Sequence, residues 1–264
     1  MGATEFEFRN RFWMMGLIFG LGFFLYSFDH VNAGAALLGA HAPATSTPLS
    51  ISIGGVRFIF PGLGYETFGL AAGSEQGRWK LQVIFGIAAL LVAAAAMMRT
   101  WATAYLESDV VQDPKLRAEA VVADGPYRYV RNPLYFANVL MAMSMGLLAS
   151  RTGWFVIVLI MTIFQYRLIG REEAELLRTQ GRRYQAYLQA VPRLFPSLRP
   201  RLRPGDRKPR WKQAWLAEAF FFWGFAVALA AFAATLNIVY FYAIFGLSML
   251  CFVLIVPLWN RRRV

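Results

Sequence analysis

The segment DGPYRYVRNPLYFANVL, residues 124–140, places polar and aromatic side chains directly before an apolar helix. Asn132 and Pro133 suit a helix start, because proline is tolerated in the first turn and asparagine can cap free N–H groups. Arg131 would then lie beside a helix N-terminus, which carries partial positive charge. This arrangement predicts a receptor for an anionic group. Alternatively, Arg128 and Arg131 are interfacial side chains and the tyrosines belong to an aromatic belt.

The segment REEAELLRTQGRRYQAYLQAVPRLFP, residues 171–196, contains two adjacent carboxylates in an arginine-rich stretch. Carboxylates can bind the hydroxyl or amino groups of a ligand, which makes Glu172 and Glu173 candidate site residues. The alternative is simple ion pairing with neighbouring arginines. Apolar residues recur at helical spacing and predict an amphipathic helix: Leu176, Leu177, Tyr184, Tyr187, Leu188 and Val191. Gly181 interrupts it, which favours a bend, a close ligand approach or a helix end.

Few residues are available for metal or nucleophilic chemistry. The chain has one cysteine, Cys251, and two histidines, His30 and His41, which lie in one early loop. A single cysteine excludes an intramolecular disulfide and a cysteine-cluster metal site. Without a later histidine, a histidine-ligated haem, a two-histidine metal triad or a serine–histidine hydrolase is excluded from the rest of the chain. We therefore expect no metal site.

The elements that must position these residues are apolar helices. Of the 264 residues, 58% are hydrophobic and only 16% are charged, below the roughly 25% usual in soluble domains. Apolar runs long enough for a bilayer, about 17–25 residues, predict an all-α polytopic bundle of about six spans, with the amphipathic helix after the fourth. The predicted spans are 12–28, 81–98, 134–150, 154–169, 219–235 and 238–258, and the last two turn at Thr235-Leu236-Asn237. Residues 51–73 are semi-apolar and fit a short interfacial or re-entrant element.

The basic residues predict the orientation of this bundle. Residues 167–215 hold thirteen basic and four acidic residues, whereas the opposite side has only Arg57, Arg78, Lys80 and Arg151. The positive-inside bias then places both termini and the two motif segments in the cytosol. The run RPRLRPGDRKPR, residues 199–210, is expected to be an extended strap on the membrane surface rather than a nucleic-acid site.

The two segments together resemble the superfamily of isoprenylcysteine carboxyl methyltransferases and phospholipid methyltransferases. The first motif reads Gly125-Pro126-Tyr127, Arg131-Asn132-Pro133 and Tyr135. The second, after a helical hairpin, reads Glu172-Glu173, Leu176, Gly181, Tyr184, Tyr187, Val191-Pro192-Arg193 and Pro196. The resemblance covers roughly residues 81–196, and the order of the two motifs makes it specific.

This resemblance implies an integral membrane enzyme that uses S-adenosylmethionine in a cytosol-facing pocket and methylates a hydrophobic acceptor. Arg131 and Glu173 are the implied catalytic residues. The implied cofactor contacts are Gly125, Tyr127, Arg131, Asn132, Pro133, Tyr135, Glu172, Glu173 and Tyr184. An aromatic face such as that of Tyr127 or Tyr184 would favour the sulfonium. The acceptor class remains open between a prenylcysteine-like carboxylate, a lipid and a thiol, with membrane lipids as further partners and no nucleic acid.

The chain departs from the family pattern at three places. Asn132 replaces the usual histidine, which removes a proton acceptor and favours an acceptor that is already deprotonated. Gln180 replaces a common aromatic residue before Gly181. A further hairpin, 219–258, is not required by the family core, and it predicts homodimerisation, a larger acceptor chamber or plain packing.

These features divide the chain into three parts. Residues 1–80 form an N-terminal span with a non-cytosolic loop, 81–198 the methyltransferase core, and 199–264 the basic linker with the additional hairpin. A second functional hypothesis is a non-catalytic membrane scaffold or small-solute carrier that retains the fold. Spans almost free of charge argue against an ion or proton pathway.

Overall fold

The computed structural model describes residues 2–39, 49–53, 56–60, 75–106 and 124–261, and most of them are helical. In chain order the helices are α1 Glu5–Arg9, α2 Arg11–Phe24, α3 Ala33–Ala36, α4 Glu75–Tyr105, α5 Pro133–Gly146, α6 Arg151–Gln180, α7 Arg182–Ala190, α8 Trp211–Glu218, α9 Gly224–Thr235 and α10 Ile238–Arg261. Short 3-10 turns cover Leu25–Ser27 and Gly125–Arg128, and a π-helical turn, Ala219–Trp223, joins α8 to α9. The predicted all-α bundle is confirmed.

The described residues include one β-hairpin. Strand β1, Leu49–Ile53, pairs antiparallel with β2, Val56–Phe60, from Leu49 opposite Phe60 to Ile53 opposite Val56. Part of the semi-apolar stretch 51–73 is therefore strand, and residues 61–74 lie outside the described residues. The alternation of apolar and polar residues in LSISI fits a strand with two different faces.

Six helices occur where six spans were predicted, but their lengths differ. Four are long and apolar enough to cross a membrane: Glu75–Tyr105, Arg151–Gln180, Trp211–Thr235 and Ile238–Ile255. The apolar helix Arg11–Ser27 is shorter, and α5 has 14 residues, or about 21 Å at 1.5 Å per residue. The chain is thus an integral membrane protein, and the number of complete crossings stays a prediction.

The helix ends follow local chemistry. Pro133 begins α5, as predicted. Ser150 caps α6, because its hydroxyl accepts the Gly153 N–H. Gly181, at φ +54°, ends α6, and Leu236, at φ +52°, separates α9 from α10 at the predicted turn. The predicted fourth span and the first part of the predicted amphipathic helix form one helix, because α6 continues without a break to Gln180.

The long helices pack in a row in the order α2, α6, α5, α4, α9 and α10. One hydrophobic cluster joins α4 and α5 to the additional hairpin through Phe85, Met141, Phe225 and Leu229. A second joins α2 to α5 and α6 through Ile18, Ala142 and Ile157. Gly22 and Gly153 allow α2 and α6 to touch, since a Cβ on Gly153 would meet the Gly22 carbonyl oxygen at 2.1 Å. The motif-bearing helices α5 and α6 are therefore held between neighbours.

Candidate functional site

Glu173 on α6 is the centre of the candidate site. Its side chain is 6% exposed. One carboxylate oxygen accepts hydrogen bonds from Arg131 Nε at 3.0 Å and Asn132 Nδ2 at 3.2 Å. The other accepts from Arg193 Nε at 2.9 Å and also from Arg193 Nη2. We call Arg131, Asn132, Glu173 and Arg193 the Glu173 cluster, and it joins both sequence motifs.

Arg131 fixes the first motif to the second in two ways. Its guanidinium also donates to the carbonyl oxygens of Leu188 and, at 2.8 Å, Val191. Its backbone N–H donates to the Pro192 carbonyl oxygen at 2.9 Å. The Arg131 side chain is 10% exposed, whereas that of Arg193 is 46% exposed. The cluster is therefore open to its surroundings on the Arg193 side.

Asn132 occupies the cap position of α5 without capping it. Its side chain makes no hydrogen bond to the helix N–H groups, so the expected cap is wrong. The amide nitrogen instead donates to Glu173 and, at 2.9 Å, to the Arg193 carbonyl oxygen. A hydrogen bond to a charged acceptor is stronger than one between neutral groups. This explains why the Asn132 side chain is oriented toward Glu173 and not toward the N–H groups of α5.

Gly125 is required at its position for two reasons. Its φ of +56° lies in the region that favours glycine, and a Cβ there would meet the Tyr105 ring at 2.4 Å. This turn directs the backbone into Tyr127, whose carbonyl oxygen accepts the Tyr187 hydroxyl at 2.8 Å. The start of the first motif is thereby fastened to α7.

Helix α7 covers the cluster with two buried tyrosines. Tyr184 and Tyr187 lie with ring centroids 5.8 Å apart and pack with Val191. Burial raises the pKa of the Tyr184 hydroxyl, and the nearby negative charge of Glu173 raises it further. Tyr184 is therefore a neutral side chain within electrostatic reach of Glu173, Glu172 and Arg131.

The structure brings together some of the predicted site residues and separates others. Arg131, Asn132 and Glu173 are in direct contact. Pro133 follows Asn132 as the first residue of α5, and Tyr184 and the half-buried Glu172 lie beside the three. The Tyr127 ring packs with Ala102 and Leu106 and also lies within electrostatic reach of the Tyr187 hydroxyl. The Tyr135 ring packs with Ala142, Leu168 and Leu194. Of the apolar residues predicted to line one face of the amphipathic helix, Tyr184, Tyr187 and Val191 are buried, but Leu177 is 41% exposed.

Two residues of the site were missing from the predicted set. Arg193 binds Glu173 with two nitrogens, and Tyr187 joins α7 to Tyr127. Both stand in the second motif, Arg193 in the triplet Val191-Pro192-Arg193. An arginine after proline, in the same segment as the adjacent carboxylates Glu172 and Glu173, was the available signal.

The basic strap 199–210 has no regular secondary structure, as expected, and is bound to the first motif. Asp124 accepts the backbone N–H groups of Gly205 and Arg207, and Arg128 donates to the Leu202 carbonyl oxygen at 2.9 Å. The side chains of Arg199, Arg201, Arg203, Lys208, Arg210 and Lys212 are exposed. The strap therefore places exposed cationic side chains next to residues 124–140, the segment that supplies Arg131 and Asn132 to the Glu173 cluster.

The donor set does not suit a metal ion. Within the described ranges, no three His, Cys, Asp or Glu side chains lie close enough together to hold one. The Glu173 cluster contains two guanidiniums and one carboxylate beside the α5 N-terminus, and the carboxylate of Glu172 lies next to it. The guanidiniums and the helix N-terminus favour an anionic group, whereas Glu172 favours a cationic group or a hydroxyl.

Comparison with known proteins supplies the class. The family model of phospholipid methyltransferases matches residues 81–182, which include α4, α5, α6 and the Glu173 carboxylate. This match is consistent with the membrane methyltransferase superfamily that includes phospholipid and isoprenylcysteine carboxyl methyltransferases. No curated protein and no solved structure matches the chain. Residues 81–182 are thus similar to a phospholipid methyltransferase domain, and residues 1–80 and 183–264 lie outside the match.

Proposed function

We propose that this protein transfers a methyl group from S-adenosylmethionine to a hydrophobic acceptor at the membrane face that carries the Glu173 cluster. The observation that supports this most is the convergence of both motifs on one buried carboxylate, held by Arg131, Asn132 and Arg193. Burial of an unpaired carboxylate is energetically costly. Glu173 is 5% exposed, and four hydrogen bonds offset this cost.

The residues of the cluster fit the groups of this cofactor. The half-exposed Arg193 suits the cofactor's carboxylate, as does the N-terminus of α5. Glu172 suits an amino group or a ribose hydroxyl. The proposed contacts are those of the motifs, namely Gly125, Tyr127, Arg131, Asn132, Pro133, Tyr135, Glu172, Glu173 and Tyr184, with Arg193 added. When bound, the cofactor supplies an electrophilic methyl carbon on a sulfonium.

The protein's own residues would align the two reactants and exclude water. Arg131 and Glu173, the proposed catalytic pair, would orient the cofactor because their positions are fixed by each other and by α7. Both carboxylate oxygens of Glu173 already accept hydrogen bonds from Arg131, Asn132 and Arg193, so we do not propose Glu173 as the general base. We therefore favour an acceptor that is already deprotonated, such as a carboxylate or a thiolate.

The proposal includes a location and partners. The N-terminal segment packs beside the site, since the Ala3 N–H donates to the Arg167 carbonyl oxygen at 2.8 Å. The excess of basic residues supports a cytosolic location for this end of the bundle. The exposed cations of the strap would bind anionic lipid headgroups. Exposed apolar side chains on α10, such as Val239, Leu250 and Val253, would face lipid or a second copy of the chain.

Binding and transfer can be tested separately. The purified protein in nanodiscs is titrated with S-adenosylmethionine by calorimetry, and membranes are then incubated with the methyl-labelled cofactor and analysed by mass spectrometry. Glu173→Gln and Arg193→Gln should each weaken binding at least tenfold, because both remove charge from the cluster. Glu175→Gln is the matched control, since Glu175 lies on the same helix in an exposed pair with Arg178.

Each outcome decides between the hypotheses. Labelled acceptor in wild-type samples supports the enzyme, whereas cofactor binding without any labelled product supports the scaffold or carrier. Wild-type protein that does not bind the cofactor contradicts the proposal as a whole. Unchanged binding in folded Glu173→Gln and Arg193→Gln proteins contradicts the site.

A further inference from the structure

Polar side chains inside the bundle form a chain that crosses five helices. Glu218 of α8 accepts from Arg99 of α4, with Nε–Oε2 at 2.7 Å and Nη2–Oε1 at 3.1 Å. Arg99 Nη1 donates to Asn138 of α5 at 2.9 Å. Asn138 donates to Gln165 of α6 at 3.2 Å, and Gln165 reaches the Met15 sulfur of α2 at 3.5 Å. We call these five residues the polar belt.

Glu218, directly before the additional hairpin, and the first residues of the hairpin surround Arg99 and its turn of α4. Thr103 donates to Glu218 Oε1 at 3.0 Å, and the Arg99 guanidinium lies 4.2 Å from the centroid of the Phe222 ring. Trp223 Nε1 donates to Thr100 at 3.1 Å. The Glu218 and Arg99 side chains are only 5% and 16% exposed. Arg99 and Glu218 lie one residue outside the predicted spans 81–98 and 219–235, but inside the helices Glu75–Tyr105 and Trp211–Thr235, which are long and apolar enough to cross a membrane.

The belt runs directly beneath the Glu173 cluster. Asn138 follows Asn132 by six residues on α5, or about 9 Å along the helix, and Gln165 precedes Glu173 by eight residues on α6, or about 12 Å. The belt therefore ties together the two helices that supply the halves of the cluster. Ionisable residues within membrane helices are seldom present without a function.

We propose that Glu218 is a positioning residue for the methyltransferase site, and this inference rests on the proposed function. Glu218 fixes the Arg99 guanidinium, Arg99 fixes Asn138, and Asn138 sets the position of α5 and its first residues against α6. The hairpin, which lies beyond the family match, is then a working part of the site rather than a separate dimerisation element. Its polar contacts with α4 set the geometry of the cofactor wall.

The test compares Glu218→Gln with a carboxylate loss at the opposite end of the bundle. Asp29→Asn is the matched control, because Asp29 binds Arg151 and Thr152 far from the cluster. Glu218→Gln should raise the dissociation constant for S-adenosylmethionine about 2- to 30-fold, the range typical of residues that act through a network. It should also speed amide hydrogen exchange over residues 133–138. Glu218→Asp should restore most of both, and Asp29→Asn should change neither.

The readouts separate positioning from stability. General destabilisation lowers the folded fraction but leaves the dissociation constant of the folded protein unchanged. Thr103→Val, which removes one hydrogen bond and no charge, serves where Glu218→Gln does not fold. Unchanged affinity and exchange in the folded variants would overturn the inference. Where the wild type does not bind the cofactor, the proposed function fails, and hydrogen exchange alone decides whether Glu218 positions α5.

Discussion

At the scale of single residues, the protein concentrates its polar chemistry on a few buried carboxylates. Glu173 is bound by two guanidiniums and an amide, and Glu218 by a guanidinium and a hydroxyl. Carboxylates of this kind are stable only because every partner is present, so removal of one partner leaves a buried charge. Small changes at these positions should therefore have large effects.

Asn132→Asp tests this at the site. The new carboxylate would lie against Glu173 and would replace the donor that now contacts it at 3.2 Å. We expect a loss of about 1–3 kcal/mol in the free energy of unfolding at pH 7, as for a buried polar group without its partner. Protonation of the new side chain at low pH should recover part of this loss.

The measurement is thermal unfolding in detergent as a function of pH, with wild-type protein and Asn10→Asp as controls. Asn10 lies at the junction of α1 and α2, and its side chain donates to the Phe6 carbonyl oxygen at 2.9 Å. An Asn132→Asp protein as stable as the wild type at pH 7 would show that the Glu173 cluster is weaker than its geometry indicates.

At the scale of elements, the turn at Gly181 decides how α7 covers the site. Its backbone, φ +54° and ψ −128°, is essentially restricted to glycine. Nothing lies within 4 Å of a Cβ built there, so the requirement is one of backbone conformation and not of space. Tyr184 and Tyr187 follow within six residues, and their burial depends on this change of direction.

Gly181→Ala should destabilise the protein by about 1–3 kcal/mol, the cost of forcing a side chain into this region. It should also weaken cofactor binding, because α7 would swing away from Glu173. Unfolding curves and calorimetric titration measure the two effects. Gly86→Ala is the control, since Gly86 lies inside α4 with open space, where alanine should add about 0.5–1 kcal/mol. Equal effects of the two substitutions would contradict the role of the turn.

At the scale of the whole molecule, residues 2–10, which we call the N-terminal arm, bind to α6, the helix that carries Glu173. Glu7 pairs with Arg167 at 2.7 Å, and Glu5 pairs with Arg171, directly before Glu172. The hydrogen bond from Arg167, with one from the Thr4 N–H, lowers the pKa of Glu7 from 4.5 to about 2. The arm is thus held by an ionised carboxylate.

This pKa shift predicts the pH dependence of the arm. A lowered pKa in the folded state stabilises the arm fully above about pH 4.5, and the contribution is lost as the pH falls toward 2. Amide exchange of residues 4–10 should therefore speed up over this window. Glu7→Gln should remove the dependence, and Glu5→Gln, whose carboxylate is exposed, should keep most of it. A flat profile in the wild type would contradict the pairing.

The sequence alone determined the helical class, the helix positions and the two motifs. Apolar runs have to be helical in a bilayer, because the backbone polar groups must bond within the segment. Pro133, Gly181 and the turn at Leu236 act locally, so they could be identified from sequence. Helix length was harder to predict from the sequence. Helix α6 continues past its apolar part, because charged residues are also good helix formers.

Only the tertiary structure decided which side chains meet. Asn132 could cap α5 or contact another helix, and the choice depended on Glu173, which is 41 residues away along the chain. The Tyr127 and Tyr135 rings belong to two different hydrophobic clusters, and Arg193 and Glu218 have partners 20 and 119 residues distant. Sequence spacing specifies the face of a helix, whereas the partner of a buried charge is set by how the helices pack in three dimensions.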